Sequence, residues 1–319
     1  MKFGIISLGR HSTARVIPAI MAAGQEITFL YSTDRTKGMK VGNELGAEYV
    51  PDLEEFVKKD FDAVYISSPN SLHYLHAKKS LEGGKDVLLE KPATLKVEEI
   101  VELDDLAKKK NLRLAIGFHL RFHPAVKDVK KSISSGEVGQ ARYAYGKWSY
   151  YSPRAGDTSW KSKPEMAGGG SLVGTGVHVI DSFINLFGKE VKSVSAISSP
   201  VCNVIDDTVH ATLNFHSGIV ADGISSRMIS ENYNDLLILG DKGSIRVTDF
   251  YSTSVNSELY INGHKVRKYD GGDMYRDEIR AFVDGEFRIA GGEDGIISTK
   301  LMLAIQKSAC EGRQITLDM

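Results

Sequence analysis

Cysteine is scarce in this chain of 319 residues, where only Cys202 and Cys310 occur. Two thiols so far apart in sequence exclude a disulfide framework and a cysteine metal knuckle, and a reducing, cytoplasmic setting fits them most simply. An excess of charge is missing too, since 40 basic residues face 41 acidic ones and leave a formal net charge of -1. No global field draws in nucleic acid or anionic lipid, so neither nucleic acid nor a membrane is expected as a partner. Apolar runs stay well short of the ~20 residues that span a bilayer. The opening stretch MKFGIISLGR lacks the long apolar core and small-residue cleavage site of a signal peptide and reads as the first strand of a fold. The nine histidines show no ligand spacing such as His-Glu-x-x-His, so no metal is expected.

What is present is a composition of 42% hydrophobic and 25% charged residues, ordinary for a globular protein. The length exceeds what one hydrophobic core usually organises, so two domains are expected, and the two halves differ in rhythm. Up to about Gly117, apolar strands (Lys2–Ser7, Ile27–Ser32, Ala63–Ser67, Asp86–Leu89, Leu112–Gly117) alternate with helix-length segments such as Thr13–Ala23, Leu72–Glu82 and Val97–Lys110. That alternation predicts a doubly wound parallel sheet, which places ligands beyond the carboxyl ends of its strands. After Pro124 a helical segment runs to about Ser135. Period-two alternation follows at Ala141–Tyr150, Val194–Ser198, Thr208–Phe215, Ile219–Ser226, Asn234–Leu239 and Gly243–Val247. Turn signals at His216-Ser217-Gly218, Asp241-Lys242-Gly243 and Asn262-Gly263 mean an antiparallel sheet. Helices at Gly176–Leu186 and near Ile296–Glu311 complete this half.

The first strand ends in Ser7-Leu8-Gly9-Arg10-His11-Ser12, at the position of a Gly-x-Gly-x-x-Gly turn. In that turn glycines permit a tight bend and let backbone N–H groups approach a pyrophosphate at a helix N-terminus. Only Gly9, the close-approach position, is glycine here. Ser7 and Ser12 replace the outer two, and Ser12 is suited to cap the next helix instead. Arg10 and His11 add phosphate donors. An acid about 20 residues past such a turn bonds the ribose 2′-hydroxyl of NAD. The second strand instead leads into Ser32-Thr33-Asp34-Arg35-Thr36-Lys37, whose hydroxyls and cations suit the 2′-phosphate of NADP. Asp34 admits two further readings: a partner for Arg35, or the NAD-type acid displaced by a residue or two. NADP is the expected cofactor, and NAD the alternative.

Val87-Leu88-Leu89 runs into Glu90-Lys91-Pro92, which alone reads equally well as an ion pair at a strand end. Four longer stretches say more: AVYISSPNSLHYLHAKKSLEGGKDVLLEKPAT, GFHLRFHPAVKDVKKSISSGEVG, GGGSLVGTGVHVID and STKLMLAIQKSACEGRQI. Together they resemble the Gfo/Idh/MocA oxidoreductases, NAD(P)-dependent sugar and inositol dehydrogenases and reductases. The resemblance implies an α/β chain: an N-terminal Rossmann domain over residues 1–120, then a C-terminal α+β domain over 121–319 with a large, mostly antiparallel open sheet. It implies a homodimer or homotetramer joined through that sheet, and a site in the interdomain cleft where nicotinamide meets a sugar or polyol substrate.

Family roles carry over residue by residue. The Lys of Glu-Lys-Pro positions and polarises the reacting oxygen, a role that falls to Lys91. Glu90 would orient it, and Pro92 would fix the turn, a cis bond being cheap only at proline. Ser68, Pro69, Asn70 and His73 match a loop that contacts the dinucleotide. His119, Arg121 and Phe122 match a stretch lining the cleft, with His119 where Asn is common. A second-domain helix carries Asp-x-Gly-x-His, its His a general base or acid. Here Gly174-Thr175-Gly176-Val177-His178 keeps the His, whose ordinary pKa of about 6.5 suits a proton carrier, and replaces the acid with glycine. Asp181, one turn on, is placed to orient the ring, and Thr175 offers a hydroxyl. The missing acid also fits altered substrate preference, weak activity or an inactive protein. The run Trp148, Tyr150, Tyr151, Arg154, Trp160 and Lys161 offers aromatic and basic contacts to a sugar, Tyr151 among them, or serves as filler under a long connection. In some relatives a Trp-Arg pair at the position of Trp160-Lys161 reaches the cofactor. The expectation is hydride transfer between nicotinamide and a carbohydrate or polyol. An NADP-binding sensor without turnover is the alternative, favoured by the degraded turn and Gly174.

Overall fold

The computed structural model describes residues 1–153, 157–230 and 233–318. Its strands are β1 (Lys2–Ile6), β2 (Glu26–Tyr31), β3 (Glu48–Tyr49), β4 (Ala63–Ile66), β5 (Asp86–Glu90), β6 (Leu114–Gly117), β7 (Ala141–Ser149) and β8 (Val191–Ser199). They continue as β9 (Thr208–Phe215), β10 (Val220–Ser226), β11 (Leu236–Gly240), β12 (Ser244–Val247), β13 (Asn256–Ile261), β14 (His264–Asp270), β15 (Ala290–Gly291) and β16 (Ile315–Thr316). Two compact units divide them, Met1–His119 with Tyr275–Thr299 and Leu120–Met274 with Lys300–Met319.

The first unit is a seven-stranded sheet in the order β15-β6-β5-β4-β1-β2-β3. Its strands run parallel except β15, which pairs antiparallel with β6. All four residues of β4 are buried, as are Val87, Leu88 and Leu89 of β5, because helices cover both faces of such a sheet. This is the expected Rossmann architecture. Helix Val97–Lys110 matches its expected bounds, whereas β3 and helix Arg35–Leu45 had no clear apolar period and went unread.

The boundary placed at residue 120 is half of the story. The expected second domain, 121–319, gives residues 275–299 back to the first unit. Apolar spacing explains the return. In helix Met274–Asp284, Tyr275, Ile279 and Phe282 recur four and three residues apart, lie on one face, and join the core formed by Phe3, Ile5 and Ile20. The Phe282 and Phe3 rings stand 6.1 Å apart. Arg113 then donates to the Phe282 and Val283 carbonyls at 2.7 Å, partnering free acceptors near the helix end.

The second unit holds a nine-stranded sheet, β14-β13-β12-β11-β7-β10-β9-β8-β16, antiparallel except where β10 meets β7 in parallel. Strands β9 and β10 alternate buried and half-exposed residues, so the sheet has one covered face. Helix Val177–Phe187 lies there, with Val179 and Phe183 against Gly223. Asn262 and Gly263 take positive φ values of 52° and 78°, the conformation that a two-residue hairpin loop requires between β13 and β14. One expectation fails outright, for Cys202 and Cys310 form a disulfide across 108 residues of sequence. Separation along the chain does not measure distance once the last helix meets β8, where Ala196 N–H donates to Ser308 Oγ at 2.9 Å. Among the described residues no helix is long and apolar enough to cross a membrane.

Phe282 tests the return segment. Phe282→Ala should destabilise the protein by about 3–5 kcal/mol in urea unfolding, the cost of a buried aromatic cavity. A loss below about 1 kcal/mol would mean that residues 275–299 do not complete the first core.

Candidate active site

In the first unit the candidate site residues gather at the carboxyl ends of β1, β2, β4 and β5. Ser7 stands at the first glycine position of the turn after β1 and takes the left-handed conformation glycine would supply, φ 76°. Its backbone is held on both sides: Ser7 N–H donates to Tyr31 O at 2.9 Å, and Ser67 Oγ donates to Ser7 O at 3.3 Å. A side-chain carbon on Gly9 would meet nothing within 4 Å, so the backbone there lies open to a ligand. Arg10 is exposed and makes no ion pair among the described residues. Ser12 does not cap. It is fully buried, opens a π-helical turn over Ser12–Val16, and its hydroxyl has no hydrogen-bond partner among the described residues. An open backbone beside an orphaned hydroxyl fits a pyrophosphate.

At the end of β2, Ser32 Oγ accepts from Asp34 N–H at 3.2 Å and the Ser32 carbonyl accepts from Tyr49 at 2.8 Å. Asp34 caps helix Arg35–Leu45, its carboxylate accepting from Lys37 N–H at 3.0 Å. The alternative pairing of Asp34 with Arg35 is not formed: Arg35 is exposed and makes no ion pair among the described residues, and Thr33 beside Asp34 is exposed too.

The Glu-Lys-Pro loop is braced from two directions. The Lys91–Pro92 bond is cis. Glu90 does not simply serve Lys91: its Oε1 lies 3.2 Å from His11 Nε2 and accepts from Tyr65 at 2.9 Å. Burial pushes the Glu90 pKa up, but His11, Lys91 and Tyr65 outweigh it and bring it down to about 2, so the carboxylate stays ionised. His73, expected on the dinucleotide, is instead closed off. It is 1% exposed, with Nδ1 2.8 Å from Pro92 O and Nε2 3.0 Å from Ser68 O, and so brackets the loop after β4 to the loop after β5. Burial holds its pKa below the usual value. Ser68 also turns inward, its hydroxyl 2.9 Å from His76 Nδ1. Pro69 is half-buried and Asn70 buried on the same loop. His119 is buried and stacks on Tyr275 at 4.4 Å, and the Tyr275 ring meets His11 edge-on at 5.5 Å.

In the second unit His178 is the second residue of helix Val177–Phe187, buried, with its ring 5.2 Å from Trp148. A π-helical turn, Leu172–Gly176, leads into it. Asp206 holds the segment before that turn, accepting from Gly170 N–H at 2.9 Å, Leu172 N–H at 2.9 Å and Ser171 Oγ at 2.6 Å. Packing dictates most of the glycines. A Cβ on Gly170 would run into the Asp206 backbone, one on Gly169 into Val173, and one on Gly176 would come within 2.8 Å of Ser225 Oγ. Gly174 is different: it is exposed, and a Cβ would meet nothing within 4 Å. Asp181, expected to orient the imidazole, is 2% exposed and gives both oxygens to Arg121, at 2.6 to 3.2 Å. Thr175 donates back to Ser171 O at 3.3 Å. Trp160 and Lys161 form a short turn in which the Lys161 ammonium lies 5.8 Å from the indole, and Tyr151 is 62% exposed, bridged to Met228. Arg154 lies outside the described residues.

Residues 1–118 match the oxidoreductase family with an NAD-binding Rossmann fold, and residues 126–246 match the GFO/IDH/MocA C-terminal domain. The chain belongs to the Gfo/Idh/MocA family. It is 26% identical to 1,5-anhydro-D-fructose reductase of Ensifer adhaerens over 332 residues, covering 99% of this chain and 98% of the relative. It is also 26% identical to D-xylose 1-dehydrogenase (NADP(+)) 2 of Haloferax volcanii over the whole of both chains. The crystal structure of aldose-aldose oxidoreductase from Caulobacter crescentus has the same fold, with a TM-score of 0.88 at 23% identity over 99% of each chain. As a Gfo/Idh/MocA protein the chain is an NAD(P)-dependent oxidoreductase of a sugar-related family.

Four residues near these Gfo/Idh/MocA motifs were not read from sequence: Tyr65, His76, Asp206 and Tyr275. The Tyr275-x-x-x-Ile279-x-x-Phe282 spacing was a usable helix signal; nothing local marks the other three. His76 supplies a test by acid. Burial, with neighbouring His73 adding to it, brings its pKa down to about 4. An unfolded chain takes that proton at about 6.5, so the contribution is complete above that value and is lost as pH falls toward 4. Between pH 7 and 4.5 the wild type should lose on the order of 2 kcal/mol more than His76→Asn in urea unfolding. Equal losses would show that the ring is not held neutral.

Proposed function

We propose that this chain transfers hydride between NADP and a sugar, inositol or related polyol or ketose, with Lys91 polarising the reacting oxygen and His178 acting as general acid and base. The observation that carries the reading is the bracing of the Glu-Lys-Pro loop, in which His73 ties Pro92 to Ser68 while Glu90 is held by His11 and Tyr65. A turn held so firmly fixes the backbone from which Lys91 projects, as electrostatic catalysis requires.

NADP, when bound, accepts the hydride in oxidation and supplies it in reduction. Gly9 backbone, Arg10 and Ser12 would hold the pyrophosphate, and Ser32, Thr33 and Arg35 the 2′-phosphate. Arg35 is exposed with no ion pair among the described residues and Asp34 is engaged as a helix cap, both of which support NADP over NAD. In the oxidative direction Lys91 stabilises negative charge on the substrate oxygen while His178 takes the hydroxyl proton. In reduction His178 returns it. The D-xylose 1-dehydrogenase and anhydrofructose reductase relatives favour a carbohydrate of that class. The reading includes a homodimer or homotetramer joined through the half-exposed face of the nine-stranded sheet, and a cytoplasmic setting. A sensor without turnover is the second reading, favoured by Gly174 where the family has an acid.

Nicotinamide absorbance over a panel of sugars and inositols, with NADP and NAD, tests both. Turnover is expected on at least one compound, falling about 10²–10⁴-fold in Lys91→Met and in His178→Ala while NADPH binding persists. Arg35→Ser should raise the KM for NADP about tenfold and leave that for NAD unchanged. Tight NADPH binding with no turnover on any compound selects the sensor. Full turnover in either catalytic variant removes that residue from the mechanism.

A further inference from the structure

The Cys202–Cys310 disulfide takes part in no step above, yet it joins the two elements that hold the approach to His178. Cys202 lies in the connection from β8 to β9, four residues before Asp206. Asp206 accepts from Gly170 N–H, Ser171 Oγ and Leu172 N–H through its carboxylate, and from Ser171 N–H at 2.9 Å through its carbonyl. Cys310 is in the last turn of helix Gly292–Glu311, one turn after Gln306, whose Nε2 donates to Gly168 O at 2.8 Å. Every one of these bonds falls on Gly168–Leu172, the stretch that feeds the π-turn and then His178. Both cysteines are exposed, so a thiol can reach them. A cavity of about 230 Å³, walled by Leu172, Val209, Ile305 and the two cysteines, opens beside the bridge and gives the connection room to shift when it is cut.

We propose that Cys202 and Cys310 form a reversible dithiol–disulfide site that sets how firmly Gly168–Leu172, and through it the helix bearing His178, is held. A small dithiol acts in two exchanges. Its first thiolate attacks one cysteine sulfur and displaces the other cysteine as thiolate. Its second thiolate then closes on the first, freeing the remaining cysteine. Two electrons and two protons pass to the protein, and the dithiol leaves as a cyclic disulfide. A disulfide oxidant reverses both steps. In a reducing compartment the pair stands open, and under oxidising conditions it closes. Only the consequence for turnover rests on the role proposed for His178.

Hydrogen exchange read by mass spectrometry on the full chain, before and after dithiothreitol, tests the site without any substrate, so failure of the proposed activity leaves it intact. Free-thiol titration should detect no cysteine in protein first treated with oxidised glutathione and both after reduction. Peptides within residues 168–178 should then exchange about threefold faster or more, while those of β11 to β14 keep their rates. Cys202→Ser should show the fast rates without reductant and no further response to it, and Cys310→Ser the same should the first variant fold poorly. Unchanged exchange at 168–178 after reduction would overturn the proposal. So would both thiols still titrating after treatment with oxidised glutathione, or a uniform rise across the second unit, which would mark general loosening.

Discussion

An ionised carboxylate at the mouth of β5 organises the first unit. Glu90 draws together the turn after β1 through His11, β4 through Tyr65, and its own loop through Lys91. Taking such a charge out of water costs several kcal/mol, and a single cation at ~4 Å returns about 4 kcal/mol at an effective dielectric of ~20. One partner would therefore roughly break even; several together explain why the acid stays charged. The site also has to be roomy. Glu90 lies opposite Gly117 of β6, where a Cβ would come within 3.2 Å of Oε1, so a larger residue there would press on the carboxylate. Turn, strand and loop are consequently interdependent through His11, Tyr65 and Glu90.

The second unit solves a similar problem with different chemistry. Asp206 bonds backbone N–H groups and a hydroxyl rather than a cation, so it fixes chain direction where Glu90 fixes side chains. Such bonds need the backbone to come very close, which is why Gly170 admits no Cβ against Asp206, while the Val173 side chain excludes one on Gly169. In the glycine run after the long connection, Gly169 and Gly170 are demanded by packing. Two helices are preceded by a π-helical stretch, Ser12–Val16 after β1 and Leu172–Gly176 before His178. The wider turn leaves extra backbone groups to be satisfied by something other than the next helical residue.

Much of this was legible in the sequence, and what was legible shares a property: it depends on residues close together in the chain. The buried runs of β4 and β5, the alternation in β9 and β10 and helix Val97–Lys110 express periods of two and 3.6, which neighbours alone can show. Glu90-Lys91-Pro92 and His178 stood out only through the family resemblance of the stretches around them. Contacts made across the fold were not legible. His73 looked like a ligand contact because its loop matches one that contacts the dinucleotide in the family; only the three-dimensional approach of Pro92 and Ser68 shows both ring nitrogens engaged. Asp181 lies one helical turn from His178, and spacing favoured that pairing, but Arg121 from 60 residues upstream takes both its oxygens. The disulfide and the return of residues 275–299 failed likewise, being closures over long stretches of chain.

Gly174 shows how a scaffold held in this way can change its chemistry. Its neighbours Gly170 and Gly176 are pinned by Asp206 and Ser225, so their replacement would disturb the path to His178. Gly174 projects toward open space from the same turn, and its N–H is already bonded to Gly170 O at 2.9 Å. A side chain can therefore be added or removed at that position without altering the bonds that set the helix. No side chain at position 174 is needed for those bonds, so the frame that Asp206 maintains does not depend on which residue stands there.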